Sequence, residues 1–249
     1  MNISDLRIAI MTCPRKPSYI HQTLGSLFDM EPGIKEISGV DIMIDTSDQT
    51  FLEEYKDIKL FNLHYLTPEE FKVEKARSLY VRCCYNCWRC LDLDITGYKG
   101  LLVCEDDITF RQDFLSCMIQ AIEEIENKGL YPYMLSLHSK YNLVQDKSRR
   151  RGKYFLSYPA FKFYGMHGIY YPSQTLAKAR DFMWEHGVKK PSKPADLLIG
   201  ELGEQMQTFF NVAWDLIEHV GRVSTGLSGH AACHAHSSTF NKPWVALGD

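Results

Sequence analysis

The sequence of 249 residues has no long apolar run and no strong excess of charge of either sign. A helix that spans a membrane needs about 18 consecutive apolar residues, and no stretch approaches this length. The 28 basic and 31 acidic side chains give a formal net charge of -3, so the whole chain has no general attraction for nucleic acid or anionic membranes. The first residues also lack the basic segment and apolar core of a secretory signal. We therefore expect a soluble, cytoplasmic protein.

The eight cysteines do not indicate a disulfide scaffold, because a chain of this length buries a large core without covalent cross-links. Cys84, Cys87 and Cys90 have a spacing that would also suit an iron–sulfur or zinc site. Their segment has a helical pattern without Gly or Pro, in which Cys84, Cys87, Trp88 and Leu91 share one face. We predict reduced thiols in the core, with a metal site as the alternative.

Short apolar runs alternate with helical patterns along the chain. The predicted strands are 6–12, 40–45, 60–65, 101–104, 133–137 and 168–171. The predicted helices are one that Ser18 caps, with Ile20, Leu24 and Leu27 on its buried face, and two longer ones over about 71–93 and 114–127. This alternation indicates an α/β fold with a mostly parallel sheet flanked by helices.

The strongest chemical signal is Glu105-Asp-Asp107, here called the acidic triplet, directly after the predicted strand 101–104. Three adjacent carboxylates repel one another and are costly near a core, so we expect a compensating cation. Ligands of open α/β sheets bind at the carboxyl ends of strands. Carboxylates there can hold Mg²⁺ or Mn²⁺, which stabilises a departing diphosphate. The alternative is a strand that ends in a solvated acidic turn.

Several blocks of sequence, in order along the chain, resemble the glycosyltransferases of the GT-A fold, and most closely the branching type IV N-acetylglucosaminyltransferases. The blocks are Thr12-Cys-Pro-Arg-Lys-Pro-Ser-Tyr19, Thr23-Leu-Gly-Ser-Leu27, Ile44-Asp-Thr-Ser-Asp-Gln49, the acidic triplet as a DXD-like metal motif with Phe114-Leu115, Lys193-Pro-Ala-Asp-Leu-Leu198, and Glu218-His-Val-Gly221 with Ser224. The resemblance implies a Rossmann-like GT-A fold in a single domain, 1–249. Residues 1–110 would bind the nucleotide sugar and residues 111–249 the acceptor.

The same resemblance implies a transferase that moves a sugar from a nucleoside diphosphate sugar, in particular a UDP-sugar, to a hydroxyl of a glycan with inversion. Nucleotide-sugar contacts would come from Thr12, Arg15, Asp45, Glu105 and Asp106. Asp107 and His219 would be the metal ligands, and a neutral imidazole favours Mn²⁺ over Mg²⁺. Without the resemblance, His219 could equally be a surface histidine, and Arg15 and Asp45 plain loop residues.

An inverting displacement needs a base for the acceptor hydroxyl. Asp196 is the first candidate, because it stands before the apolar residues 197–199 at the predicted start of a helix. Glu201 and Glu204 on the same helix are second choices. The alternative for Asp196 is an ordinary helix-capping role, for which aspartate is favoured.

Two further segments carry candidate residues. His230, His234 and His236 lie near the C-terminus, and any of them could replace His219 as the metal ligand. The basic stretch Lys147–Lys153 has a solvated loop as its default interpretation. It could also bind a phosphate-bearing acceptor, including nucleic acid.

Three other functions stay open at this point. The basic stretch suggests a glycosyltransferase that acts on a hydroxylated base in nucleic acid. A nucleotidyltransferase would use the same carboxylate–metal chemistry, but no G-x-x-x-x-G-K phosphate loop is present. A catalytically inactive binding module is the third possibility, and the intact carboxylates argue against it.

Overall fold

The computed structural model describes residues 1–29, 36–138, 155–157, 166–212 and 215–221. The strands in these ranges are β1 (Leu6–Thr12), β2 (Val40–Ile44), β3 (Phe61–His64), β4 (Gly100–Glu105), β5 (Ile108–Phe110), β6 (Met134–Ser136), β7 (Phe155–Ser157), β8 (Gly168–Pro172), β9 (Phe209–Val212) and β10 (Ile217–His219). The α-helices are α1 (Ile20–Phe28), α2 (Pro68–Lys75), α3 (Leu79–Leu91), α4 (Phe114–Asn127), α5 (Ser173–Met183) and α6 (Ala195–Met206). A π-helical segment, Trp184–Lys189, continues α5.

The described strands form one large mixed sheet and one small ribbon. In the large sheet the order is β3-β2-β1-β4-β8-β6-β9-β7, and β5 pairs with β10 in the ribbon. Strands β3, β2, β1 and β4 are parallel, β8 runs antiparallel to β4 and β6, β9 runs parallel to β6, and β7 antiparallel to β9. The predicted α/β fold with a mixed, mostly parallel sheet is confirmed.

Helices cover both faces of the sheet. Since neighbouring residues of a strand point to opposite faces, each central strand contributes side chains to two cores. Ile8 and Ile10 of β1 pack in one core with α1 and α4. Ala9 and Met11 pack in a second core with α3, α5 and α6. The near-continuous apolar sequence of β1 is therefore the consequence of burial on both faces.

The second core contains the cysteines that could have indicated a metal site. Cys84, Cys87 and Cys90 of α3 are fully buried and free. The prediction of core thiols is confirmed for these three residues.

Every helix within the described ranges is too short or too polar to span a membrane.

Three details of the predicted helices were wrong. The single helix over 71–93 is two helices, α2 and α3, separated at 76–78, because the backbone of Ser78 is extended and starts α3. Helix α2 begins earlier than predicted, where Thr67 and Glu70 form a capping box. The residue before α1 is Tyr19, not Ser18, and its side chain caps no backbone amide.

The strand order places a crevice beside β1. In the strand order, β2 lies next to β1 on one side, whereas β4 pairs with β1 on the other side. Ligands of open α/β sheets bind at such a switch point, outside the carboxyl ends of the strands. The loop after β1 and the acidic triplet after β4 both lie at this edge.

Candidate active site

Asp106, the middle residue of the acidic triplet, binds the end of β1 and the loop that follows it. Its carboxylate accepts a hydrogen bond of 2.5 Å from the hydroxyl of Thr12 and forms an ion pair with Arg15. Burial raises the pKa of Asp106 to about 6, although the charge of Arg15 opposes this shift. The structure thus brings Thr12, Arg15 and Asp106 together, as the predicted nucleotide-sugar contacts require.

Arg15 supplies a positive charge to the acidic triplet. Its side chain is only 8% exposed, and the guanidinium nitrogen that binds Asp106 also lies 3.3 Å from Oδ2 of Asp107. The guanidinium further stacks on the ring of Tyr19 at 4.9 Å. The expected compensation of the three carboxylates is therefore supplied in part by the chain itself.

A buried threonine on α1 fixes the backbone of the triplet. The hydroxyl of Thr23 lies 2.7 Å from the carbonyl oxygens of both Asp106 and Ile108, which share its single proton, and it accepts from the amide of Ile108 at 3.3 Å. Since Thr23 is fully buried, these contacts hold the turn between β4 and β5 against the helix. Thr23 belongs to one of the blocks that resemble the GT-A glycosyltransferases, but its role was not predicted.

Asp107 faces the late segment of the chain. Strand β10 pairs with β5, which brings Nε2 of His219 to 3.3 Å from Oδ2 of Asp107. The amides of Val220 and Gly221 donate to the carbonyl oxygen of Asp107. Burial disfavours the charged form of Asp107, but His219 and Arg15 together lower its pKa to about 2. The two predicted metal ligands are neighbours.

Gly221 leaves the space that the Asp107 carboxylate occupies. A Cβ at this position would lie 2.3 Å from Oδ2 of Asp107 and 2.9 Å from Nε2 of His219, far inside contact distance. The late segment can therefore cross the acidic triplet this closely only with glycine at 221.

Glu105, the first residue of the triplet, lies near Cys83 of α3. The side chain of Glu105 is 29% exposed, yet burial and the neighbouring carboxylates Asp107, Asp196 and Asp106 raise its pKa well above the usual value. Cys83 is open to solvent, while the surrounding protein atoms raise the pKa of its thiol. A side chain at the bottom of a concave surface has both properties.

The carboxyl end of β2 places Asp45 beside the end of β1. The carboxylate of Asp45 forms an ion pair of 2.8 Å with Arg82 of α3, and its amide donates to the carbonyl oxygen of Thr12. Burial raises the pKa of Asp45 despite the charge of Arg82. The contact of Arg82 with Asp45 was not predicted. The sequence signal for Arg82 is its place as a basic residue within an apolar helical face. A cavity of about 500 Å³ is lined by residues 63–68 together with Ser47, Gln49, Glu70 and Arg89.

The two candidate bases lie differently on α6. Asp196 is partly buried in the first turn and is close enough to Glu105 to raise that group's pKa. It does not cap the helix, since Pro194 holds the N-cap position and, within the described ranges, the Asp196 carboxylate accepts from the amide of Leu197 alone. Glu201, five residues later and hence on another face, forms an ion pair with Lys193. Glu204 is exposed.

Several predicted residues lie outside the described residues. These are His230, His234, His236 and the basic stretch Lys147–Lys153. Their alternatives as metal ligands and as a phosphate-binding loop therefore stay predictions.

The residues around Asp107 fit a divalent ion. Oδ1 of Asp107 is buried and accepts no hydrogen bond from the described residues, and His219 adds a nitrogen ligand beside it. Within the described ranges, no group of three or more His, Cys, Asp or Glu side chains forms a complete metal site. Mg²⁺ and Mn²⁺ bind nucleotide phosphates with one or two protein ligands and water, so the pair is sufficient.

The chain matches no protein-family model and no curated protein sequence. Its fold is similar to three crystal structures of S. aureus TarS 1–349. The first has a TM-score of 0.51 at 11% identity and covers 84% of this chain and 58% of that chain. The complex with UDP-GlcNAc has a TM-score of 0.55 at 15% identity and covers 91% and 61%, and the complex with UDP has 0.55 at 13% and covers 84% and 57%.

This chain thus spans about three fifths of the length of the TarS structures that it matches. The finer resemblance to the branching type IV N-acetylglucosaminyltransferases stays a prediction. The mixed α/β fold of this protein is the GT-A glycosyltransferase fold of TarS.

Proposed function

We propose that this protein is a glycosyltransferase that uses a nucleoside diphosphate sugar, specifically a UDP-sugar, as donor. The observation that carries the proposal is the position of the acidic triplet, which lies at the sheet's switch point in contact with Thr12 and Arg15. Support for the donor class comes from TarS, which has the same fold and whose structures contain UDP and UDP-GlcNAc. This interpretation accounts for three carboxylates and a buried arginine in one crevice.

Different residues of the crevice bind different parts of the donor. Arg15 donates charge-assisted hydrogen bonds to the diphosphate, and the Asp45–Arg82 pair binds the nucleoside beyond the end of β2. Glu105 or Asp106 accepts from the ribose hydroxyls. The carboxyl ends of β1, β2 and β4 hold these groups, so a rigid sheet orients the donor.

Asp107 and His219 are the proposed ligands of Mn²⁺ or Mg²⁺, with Mn²⁺ favoured by the imidazole nitrogen. When bound, the ion offsets the negative charge that develops on the departing diphosphate. Because Gly221 has no side chain, the Asp107 carboxylate and the His219 ring can lie directly against it as a ligand pair.

Asp196 is the proposed base for the acceptor. Its carboxylate is close enough to Glu105 to raise the pKa of that group, so a carboxylate from the second part of the chain stands near the proposed donor site. In an inverting transfer it would take the proton from the acceptor hydroxyl as that oxygen attacks the anomeric carbon and the diphosphate departs. We propose a glycan as the acceptor. The alternative, a hydroxylated base in nucleic acid, predicts that acceptor binding weakens steeply as salt rises.

Calorimetric binding of nucleoside diphosphates, with and without Mn²⁺, tests the proposal. The parent protein and the surface control Asp181→Asn should bind UDP about tenfold or more tightly with Mn²⁺ than without, and Asp107→Asn should lose this gain. Product analysis with UDP-sugars and nucleoside triphosphates separates sugar transfer from nucleotidyl transfer. A parent protein that binds no nucleoside diphosphate would contradict the proposed function.

A further inference from the structure

Three buried histidines lie in a row behind the acidic triplet. His138, His167 and His219 are at most 8% exposed. The ring of His167 lies between the other two, with its centroid 4.9 Å from that of His138 and 4.4 Å from that of His219. Polar rings are costly in a core, where an apolar side chain of similar size would pack without desolvation. Core packing alone therefore does not account for the row.

His167 contacts both proposed functional segments at once. Its Nε2 lies 3.8 Å from the carboxylate of Glu105, and its carbonyl oxygen accepts from the amide of Glu105. Its ring packs at a tilt of 38° on the ring of His219, whose Nε2 faces Asp107. The side chain of His167 thus contacts both Glu105 and His219, the proposed metal ligand beside Asp107.

The surroundings hold His167 in this place. The next residue, Gly168, begins β8 in such close contact with β10 that an added Cβ would lie 2.7 Å from the side chain of Ile217. On the opposite side, Nδ1 of His138 is 3.3 Å from the carbonyl oxygen of Ile217 and 3.8 Å from Asp215. The ring of His138 is thereby held against His167.

We propose that His167 is a positioning residue that holds the Glu105 carboxylate and the His219 ring in the orientation that the metal-assisted binding of a nucleoside diphosphate requires. The inference rests on the proposed function but concerns a residue that would touch neither donor nor ion. It predicts a selective defect. UDP binding without metal depends on Arg15 and Asp45 and should persist, whereas the gain from Mn²⁺ should fall.

The test measures UDP affinity with and without Mn²⁺ by calorimetry, together with the thermal midpoint, in His167→Phe and His167→Gln. Phenylalanine keeps the ring packing and removes both nitrogens, and glutamine keeps a polar group within reach of Glu105. We expect His167→Phe to lose about tenfold of the Mn²⁺-dependent affinity at unchanged metal-free affinity, and His167→Gln to recover part of it. The exposed His21→Gln is the control and should behave as the parent.

The outcomes separate the two proposals. If the parent shows no gain from Mn²⁺, the metal part of the proposed function fails, and this inference fails with it. If the parent shows the gain and His167→Phe keeps it, only the role of His167 is overturned. An equal loss of metal-free and Mn²⁺-dependent affinity would also overturn it, because that pattern indicates a merely structural role. Should His167→Phe fail to fold, His167→Gln decides by the same two affinities.

Discussion

At the scale of single residues, Arg15 explains how three adjacent carboxylates are tolerated in a buried crevice. Its guanidinium contacts Asp106 and Asp107 together, and all three side chains are almost inaccessible to solvent. Breaking a buried ion pair by removing one partner leaves an uncompensated charge, which costs more than the intact pair contributes. Arg15 and a bound divalent ion would therefore both compensate the same two carboxylates.

This overlap leads to a prediction for Arg15→Met. The variant should lose about 3–5 kcal/mol of free energy of unfolding without metal, because Asp106 and Asp107 stay buried without their cation. Mn²⁺ should raise its thermal midpoint more than it raises that of the parent, since the ion then compensates both carboxylates. Thermal unfolding with and without Mn²⁺ measures both effects, and Arg180→Met at the surface is the matched control. Equal shifts by Mn²⁺ in Arg15→Met and the parent would contradict the shared role.

Which residues of the site the sequence could predict depends on whether their signal is local. The acidic triplet is visible because three carboxylates follow an apolar strand, and Asp45 because it ends another. His167 gives no such signal, since it is a single histidine before a strand. Its partners Glu105 and His219 are 62 and 52 residues away in the chain. Only the fold, through the β5–β10 ribbon and the start of β8, brings them together.

At the scale of elements, strands with strong apolar runs were predictable and short or weakly marked elements were not. The sequence of β1 predicts a buried strand because both of its faces are covered. Strands β5 and β10 have three residues each, too few for an alternating pattern to appear. The break between α2 and α3 contains neither Gly nor Pro. Its residue Ser78 favours an extended backbone only weakly, through local hydrogen bonding of its side chain.

Asp41 joins the strands β3, β2 and β1, at one end of the sheet, by charge. On β2, it accepts from Arg7 of β1 at 2.6 Å and lies 2.8 Å from Nε2 of His64 on β3. Its side chain is fully buried. Burial raises its pKa, but the contacts with His64 and Arg7 outweigh burial and lower the pKa below its usual value of 3.8.

The lowered pKa of Asp41 fixes the sign of its pH effect. A carboxyl group with a lower pKa in the folded state stabilises the fold above its unfolded pKa, and the stabilisation is lost as the pH falls through the folded pKa. Urea unfolding at about pH 7 should show Asp41→Asn to be less stable than the parent. This difference should shrink as the pH falls below 3.8. A difference that is constant with pH would mean that Asp41 contributes through packing and not through charge.

At the scale of the whole molecule, the candidate site takes its residues from both parts of the chain. The loop after β1 and the acidic triplet come from the first 110 residues, whereas His167, Asp196 and His219 come from the rest. The sheet orders these segments so that the loop after β1, Asp45 and the acidic triplet lie at the carboxyl ends of β1, β2 and β4. Helix α6 brings Asp196 close enough to Glu105 to raise the pKa of that carboxyl group, so residues from both parts of the chain meet beside the acidic triplet.

The two candidate bases, Asp196 and Glu201, differ in their place on α6. Asp196→Asn should lower kcat by a factor of about 10²–10⁴ with little change in the donor KM, because a base acts on the acceptor proton only in the transition state. Glu201→Gln breaks a partly exposed ion pair with Lys193 and should lower kcat only slightly. Steady-state transfer from a UDP-sugar, with UDP affinity measured separately, distinguishes the variants. The reverse order of effects would assign the base to Glu201, and equal small effects would place the acceptor base outside α6.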